Sequence, residues 1–229
     1  MVTEKLLRPH HRRIKDLSMT LRTKHILAGM TLSLLSFSFS APAETQNSAK
    51  TELQHTLANM QQFKADFSQT VKDMDGEVVH EASGKLTMAR PDKLRWETMQ
   101  PDETLLIADG RAVWNVDPFV EQVTIIDQSR AIQDNPMVLL TTESDEQWEK
   151  FDIARESDGS YRVTPVNGTG QIQALQLFFE NERLSRLIMQ DAQAQQSELK
   201  FENIQTDFSP ALNQFEVTLP DTYTIDDQR

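Results

Sequence analysis

The stretch that decides the fold runs from Arg90 to Gln122 and reads RPDKLRWETMQPDETLLIADGRAVWNVDPFVEQ. Apolar side chains recur at alternate positions, and prolines together with Asp109-Gly110 and Asp117-Pro118 separate the alternating runs. Such alternation is typical of strands that bury one face, and the separators are typical of turns. The stretch therefore predicts consecutive short strands. It offers no catalytic machinery, which favours a protein that holds an apolar ligand over one that transforms it.

The strand pattern continues on both sides of this stretch. Upstream, Leu53, Leu57 and Met60 lie at helical spacing and predict an amphipathic helix over 51–61. Further strand-like runs cover 63–71, 78–82 and 85–88 around Gly84, 148–155, 161–165, 171–179, 183–189, 197–204 and 214–219, and the tail 220–229 is polar. A total of about eleven strands predicts one strongly curved antiparallel sheet, with helices over its apolar concave face.

The strand pattern breaks before residue 148. Asn135-Pro136 places an N-cap residue before a proline at the first helical position, and four apolar residues, 137–140, follow. We predict a short, very apolar helix over 136–142. The preceding stretch, 127–134, has room for another helical turn.

The first 43 residues predict an export leader. Lys24 and His25 precede an apolar run over 26–39 that is too short to span a bilayer, and 41–43 has the small-x-small pattern of a signal-peptidase site. We expect cleavage before Glu44, with Met19 as an alternative start of translation. Residues 44–229 then form a single domain, which we expect in the periplasm.

Composition excludes several classes of function. The leader holds seven of the 23 Lys and Arg and two of the 35 Asp and Glu, so residues 44–229 carry 16 basic and 33 acidic residues, a net charge of −17. Such a surface repels nucleic acid and anionic headgroups. Cysteine is absent, which excludes disulfides, thiolate metal sites and a lipid anchor. His55 and His80 have no partner pattern, and no catalytic motif occurs, so we expect no enzyme, no metal and no cofactor.

The apolar positions are the main signal for a site. Alternation predicts that the following residues face the inside of the curve: Leu86, Met88, Leu94, Trp96, Leu105, Ile107, Val113, Phe119, Val123, Ile125, Met137, Leu139 and Leu140. Periodicity alone favours a sealed core over a ligand cavity. It does not decide between them, because both require apolar side chains on the inner face. Arg90, at a strand end, is either a surface residue or a donor to backbone carbonyls of a facing helix or loop.

Several motifs together resemble the periplasmic outer-membrane lipoprotein carrier family, LolA. They are G-K-L at 84–86, R-P-x-x-L-x-W at 90–96, Q-P-D-E at 100–103, A-D-G-R-x-x-W at 108–114, D-P-F-V-E-Q at 117–122, N-P-M-V-L-L at 135–140 and the terminal V-T-L-P…I-D-D-Q-R. The resemblance covers essentially all of 50–229. It implies a mainly β (α+β) fold, an incomplete eleven-stranded antiparallel barrel with an α-helical lid over a hydrophobic cavity.

The resemblance also implies a function and its residues. Family members bind the acyl chains of lipoproteins released from the inner membrane by the ABC exporter LolCDE and deliver them to the outer-membrane receptor LolB. The arginine of the R-P motif, here Arg90, ties the lid shut, and Leu94 stands where related carriers have an important aromatic residue. We expect a monomer whose lipid contacts come from Leu86, Met88, Leu94, Trp96, Leu105, Ile107, Met137, Leu139 and Leu140.

Two other hypotheses compete with the lipoprotein-carrier function. A periplasmic lipid-binding sensor or regulator on the same half-barrel usually has an additional domain, for which residues 44–229 leave no room. An exported hydrolase requires a nucleophile constellation that the sequence lacks. The receptor LolB shares the fold but needs a lipid-bearing cysteine.

Overall fold

The computed structural model describes residues 43–134, 137–168 and 170–229. The leader expected over 1–43 therefore lies almost wholly outside the described residues. The described residues form twelve strands in one sheet. The strands are β1 (Gln62–Lys72), β2 (Val78–Ala89), β3 (Lys93–Gln100), β4 (Thr104–Asp109), β5 (Ala112–Asp117), β6 (Gln122–Asp127), β7 (Phe151–Arg155), β8 (Tyr161–Pro165), β9 (Ile172–Glu180), β10 (Arg183–Asp191), β11 (Gln196–Gln205) and β12 (Thr224–Asp227).

The sheet consists of two antiparallel meanders joined at one seam. The first contains β1 to β6, the second contains β7 to β11, and β1 pairs with β11 so that Phe67 lies opposite Phe201. The order β12-β6-β5-β4-β3-β2-β1-β11-β10-β9-β8-β7 leaves the sheet open, with β12 and β7 at its edges. The predicted class, a mainly β protein with one unclosed antiparallel sheet, is confirmed, with one strand more than the eleven expected.

The extra strand comes from the tail. Residues 224–227 were expected to be only polar, but they form β12, which pairs parallel to β6. The strand predicted over 214–219 is absent, and a 3-10 helix, Leu212–Phe215, occupies its start. Val217 and Leu219 instead pack on a face of the sheet. Alternating apolar residues report burial on one side, and a segment lying across a sheet produces the same pattern as a strand within it.

The helices are α1 (Ala43–Asn59), α2 (Gln128–Asp134), the 3-10 helix Val138–Thr141 and α3 (Asp145–Trp148). The helix predicted over 51–61 is present and begins earlier. The helix predicted over 136–142 is a 3-10 helix, and Asn135 and Pro136 lie outside the described residues. The strand predicted from residue 148 begins only at Phe151, because Trp148 ends α3.

The sheet has two differently covered faces. One, the helix-covered face, packs against the buried residues Leu53 and Leu57 of α1 and against α2, the 3-10 helix and α3. The other, the tail-covered face, packs near β4 to β6 against Val217, Leu219 and Tyr223. β7 lies at one edge of the sheet and β6 lies beside the opposite edge strand, so the connection between them crosses the sheet and brings α2 against β5 and the 3-10 helix against β3. We call α2, Met137 and this 3-10 helix the lid.

Candidate functional site

A pocket lies on the helix-covered face between the two meanders. Its volume is about 250 Å³, and its lining combines β3 to β5 with the lid and with the second meander. The lining residues are Trp96, Thr98, Thr104, Leu106, Asn115, Met137, Ile172 and Met189. The pocket is therefore bounded by both halves of the sheet and closed in part by a lid residue, so its size depends on where the lid lies.

Most of the predicted apolar residues lie on this face. Leu86, Met88 and Leu94 are buried in the cluster under the helices, together with Val113 from β5. The lid residues Met137, Leu139 and Leu140 are buried in the same cluster. Trp96 is half-buried, lines the pocket and packs against Phe67, with ring centroids 5.0 Å apart and ring planes inclined by 57°. Side chains from β2, β3 and the lid thus share one apolar surface.

The prediction that Leu105 and Ile107 face the inside of the curve is wrong. Leu105 packs on the tail-covered face, and Ile107 lies opposite Trp114, which packs there too. Cross-strand pairs share a face, and the pairing of Trp96 with Leu106 assigns Leu106 to the pocket. Residues 105–108 are all apolar, so alternation could not decide between the faces. The pairing of β3 with β4 would have decided it, because the residue directly across from Trp96 is Leu106.

Three further inward predictions are also wrong. Val123 and Ile125 are buried on the tail-covered face, where Val217, Leu219 and Tyr223 of the C-terminal segment pack against their cluster. Phe119 is 89% exposed because it lies in the turn between β5 and β6. A strand pattern assigns every apolar residue to a face, and this assignment fails where the chain leaves the sheet.

Arg90 lies beneath the lid and not on the surface. Its side chain is only 5% exposed. Nη1 donates to the carbonyl of Leu140 at 2.6 Å, and Nη2 donates to the carbonyl of Thr142 at 2.8 Å. Nε lies 3.8 Å from Oε1 of Glu143 and has no hydrogen-bond partner among the described residues. Of the two interpretations of Arg90, the donor to backbone carbonyls fits these contacts. We call its two hydrogen bonds the latch.

The electrostatics of Arg90 reflect this burial. Desolvation lowers the pKa of its guanidinium below the ordinary value, although the carboxylates of Glu143 and Asp92 act in the opposite direction. The group stays charged at neutral pH because guanidinium is so weakly acidic. A charged donor makes stronger hydrogen bonds than a neutral one, and the C-terminal end of a helix favours a cation. The latch is therefore a charged cap on the last carbonyls of the 3-10 helix.

The pocket offers mainly apolar contact, with Thr98, Thr104 and Asn115 as its polar edge. The described parts of the chain contain no group of three or more His, Cys, Asp or Glu side chains arranged to hold a metal ion. Among the described residues there is also no helix long and apolar enough to cross a membrane.

Comparisons with known proteins identify one family. The family model for the outer membrane lipoprotein carrier protein LolA matches residues 58–218. The chain is 32% identical over 201 residues to the outer-membrane lipoprotein carrier protein of Shewanella sediminis, covering 87% of this chain and 96% of that one. It is 34% identical over 195 residues to the protein of the same name from Idiomarina loihiensis, covering 85% and 96%. A solved LolA superfamily protein from Nitrosomonas europaea is 13% identical, with a TM-score of 0.48 over 72% of this chain and 95% of that one.

Proposed function

The chain belongs to the LolA family of outer-membrane lipoprotein carriers, and from this premise we propose that it carries lipoproteins across the periplasm with their acyl chains against the helix-covered face. The observation that supports this most strongly is an apolar lid held over a pocket by two polar bonds from one buried arginine. The family is one of carriers, and we propose no catalytic step.

The physical need for such a carrier follows from the cargo. Burial of an acyl chain contributes about 0.8 kcal/mol per methylene, so the chains of one lipoprotein would cost tens of kcal/mol if exposed to water. The closed pocket of about 250 Å³ is smaller than the roughly 300–1,000 Å³ of sites that hold a single drug-sized molecule. Lipid entry therefore requires the lid to move away from β3 and β5.

The proposed contact set follows the faces of the sheet. Leu86, Met88 and Leu94 supply the floor, and Trp96 and Leu106 supply the pocket wall. The lid contributes Met137, Leu139 and Leu140, which leave the floor when it opens. Leu105 and Ile107 are not in this set, because they face away from the pocket. Leu94 offers an apolar contact without an aromatic ring.

The latch accounts for release as well as binding. An acyl chain can replace the apolar contacts of the lid, but it cannot replace the hydrogen bonds from Arg90 to the carbonyls of Leu140 and Thr142. Opening therefore always costs these bonds, and the cost lowers the net affinity for cargo. We infer that the exporter LolCDE supplies the energy for loading and that the receptor LolB accepts the cargo. The working form is residues 44–229, a monomer in the periplasm.

A release assay tests this function. Proteoliposomes containing the exporter and a labelled lipoprotein are incubated with ATP and the purified protein, and soluble lipoprotein is measured after size-exclusion chromatography. We expect lipoprotein to co-elute with the protein only when ATP is present. A matched variant, Leu106→Asp, puts a charge on the pocket wall and should abolish co-elution while the fold persists. The proposal is refuted if an active exporter releases no lipoprotein to the wild-type protein.

A further inference from the structure

Gln128, the first residue of α2, is buried and joins two turns of the sheet. Its side chain accepts a hydrogen bond from the backbone N–H of Gly110 at 2.9 Å and donates one to the carbonyl of Asp92 at 3.0 Å. Its own N–H donates to the carbonyl of Arg111 at 2.9 Å. The partners fix the orientation of the amide, because only its oxygen can accept from an N–H and only its nitrogen can donate to a carbonyl.

The turn that Gln128 holds is the turn that holds the lid. The backbone N–H of Asp92 donates to the carbonyl of Thr141 at 2.9 Å. The side chain of Arg90 donates to the carbonyls on either side, those of Leu140 and Thr142. Three successive carbonyls at the end of the 3-10 helix therefore receive donors from one short turn. The last carbonyls of a helix have no donor within it, so their bonds to the turn help to fix the helix end. Nε1 of Trp148 adds one further donor, to the carbonyl of Thr142 at 3.3 Å.

Asp92 is the central point of this network. Its N–H binds the lid, and its carbonyl binds Gln128, so the flanking peptide groups are restrained from both sides. Asp92 also has a positive φ of 64°, a conformation that is uncommon for a residue other than glycine. A turn in this conformation needs support from its neighbours to persist. Gln128 provides a buried bond to it from an element outside the turn.

We propose that Gln128 is a positioning residue of the lid: it fixes Asp92, and through Asp92 the geometry in which the 90–92 turn engages three carbonyls of the 3-10 helix. This inference rests on the proposed function, since it assigns a second residue to lid closure. Gln128 contacts neither the pocket nor the latch directly among its hydrogen bonds. Its loss would weaken closure while Arg90 itself remains unchanged.

Two variants separate the two side-chain bonds. Gln128→Met has similar length and removes both of them. Gln128→Glu keeps an acceptor for the N–H of Gly110 but has no donor for the carbonyl of Asp92. Gln176→Met is the matched control, because Gln176 donates to Oγ of Ser160 at 2.7 Å in β9, away from the lid.

The readout is amide hydrogen exchange, measured on the purified protein without lipid. The N–H of Asp92 reports lid contact, since its acceptor is the carbonyl of Thr141. We expect both Gln128 variants to speed its exchange about five- to tenfold, the effect of losing one supporting hydrogen bond. Amides of the β1–β11 ladder should not change, which distinguishes local lid opening from general destabilisation. Gln176→Met should leave the Asp92 amide at the wild-type rate.

The transfer of bound lipoprotein to receptor-bearing liposomes is the second readout. Both Gln128 variants should release cargo more slowly than wild type, in the direction expected for Arg90→Leu. Unchanged Asp92 exchange in either Gln128 variant, with an intact fold, overturns the inference. If the wild-type protein takes up no lipoprotein, the proposed function fails, whereas the exchange result still decides whether Gln128 positions the turn.

Discussion

Replacing Arg90 with leucine removes the latch and leaves a shorter, apolar side chain under the lid. The lost interactions are the two bonds of 2.6 and 2.8 Å to the carbonyls of Leu140 and Thr142. Hydrogen bonds from charged donors contribute roughly 1.5–3 kcal/mol each. Part of this is recovered, because a guanidinium no longer has to be desolvated beneath the lid. The expected net loss for the closed form is about 2–4 kcal/mol.

This loss predicts a shift between closed and open forms. A change of about 2–4 kcal/mol corresponds to roughly 30- to 1,000-fold in their ratio. Apparent affinity for an acyl ligand rises by the same factor until the open form predominates. We expect Arg90→Leu to bind a fluorescent fatty-acid probe at least about 30-fold more tightly than wild type. We also expect it to transfer bound lipoprotein to receptor-bearing liposomes correspondingly slowly.

Two other variants sharpen the measurement. Arg90→Lys keeps the charge, but an ammonium group lacks the planar fork that reaches two carbonyls, so its affinity should be intermediate. Arg95→Leu is the matched control: Arg95 pairs with Glu97 at 2.6 Å and donates to the carbonyl of Gln214 at 3.1 Å on the tail-covered face. If Arg90→Leu and Arg95→Leu bind the probe equally well and both transfer lipoprotein at the wild-type rate, the latch reasoning is refuted.

Three further predictions concern the face assignment, the pairing of β2 with β3, and a charged turn. Leu106→Ala should weaken binding of the acyl probe, because Leu106 lines the pocket. Ile107→Ala should instead lower the free energy of unfolding by about 2–5 kcal/mol, with little effect on probe affinity. Probe titration and urea denaturation of both variants check this, and the reverse pattern would contradict the face assignment. Gly84→Ala should lower the free energy of unfolding, measured by urea denaturation, by at least about 1–3 kcal/mol, because a Cβ would lie 1.8 Å from the carbonyl oxygen of Glu97. A variant as stable as wild type would show that the backbone adapts freely. Burial alone would raise the pKa of Asp109, but three N–H donors together hold this pKa below its ordinary 3.8. The carboxylate should therefore stabilise the fold fully above pH 3.8, and this contribution should vanish as the pH falls through the lower pKa of the folded state. Asp109→Asn should be less stable than wild type at neutral pH and equally stable in acid, and a difference in unfolding free energy that is the same at every pH would argue against this.

The sheet was predictable because its signals are local. Turn residues such as Asp109-Gly110 and alternation within each strand are properties of a few neighbouring positions, and both meanders follow from them. The joining of the meanders through β1 and β11 depends on pairing between residues more than a hundred positions apart. No local pattern carries that information. The same limit explains the missed β12, which exists only because β6 offers a free edge.

The site was predictable only in part, for a related reason. Alternation correctly grouped Leu86, Met88 and Leu94, because a polar residue directly precedes each of them in its strand. It failed at Leu105, where apolar residues are consecutive because both faces of β4 are covered. The hydrogen bonds of Arg90 could not be read from periodicity, since its acceptors lie 50 and 52 residues away. Only the motif resemblance suggested a facing lid as its partner.

The division of labour between apolar and polar contacts explains how one protein can both hold and release lipid. Lid residues such as Leu139 and Leu140 bury themselves on the same surface that we propose for acyl chains, so cargo replaces the lid with little net change in apolar area. If apolar contact alone held the lid, no free-energy term would oppose the tight binding of long acyl chains. The bonds at the carbonyls of Leu140, Thr141 and Thr142 are made only when the lid is closed, and no acyl chain can substitute for them. They set a fixed free-energy difference in favour of the empty form, and a receptor that offers an equally apolar site can then draw the cargo away.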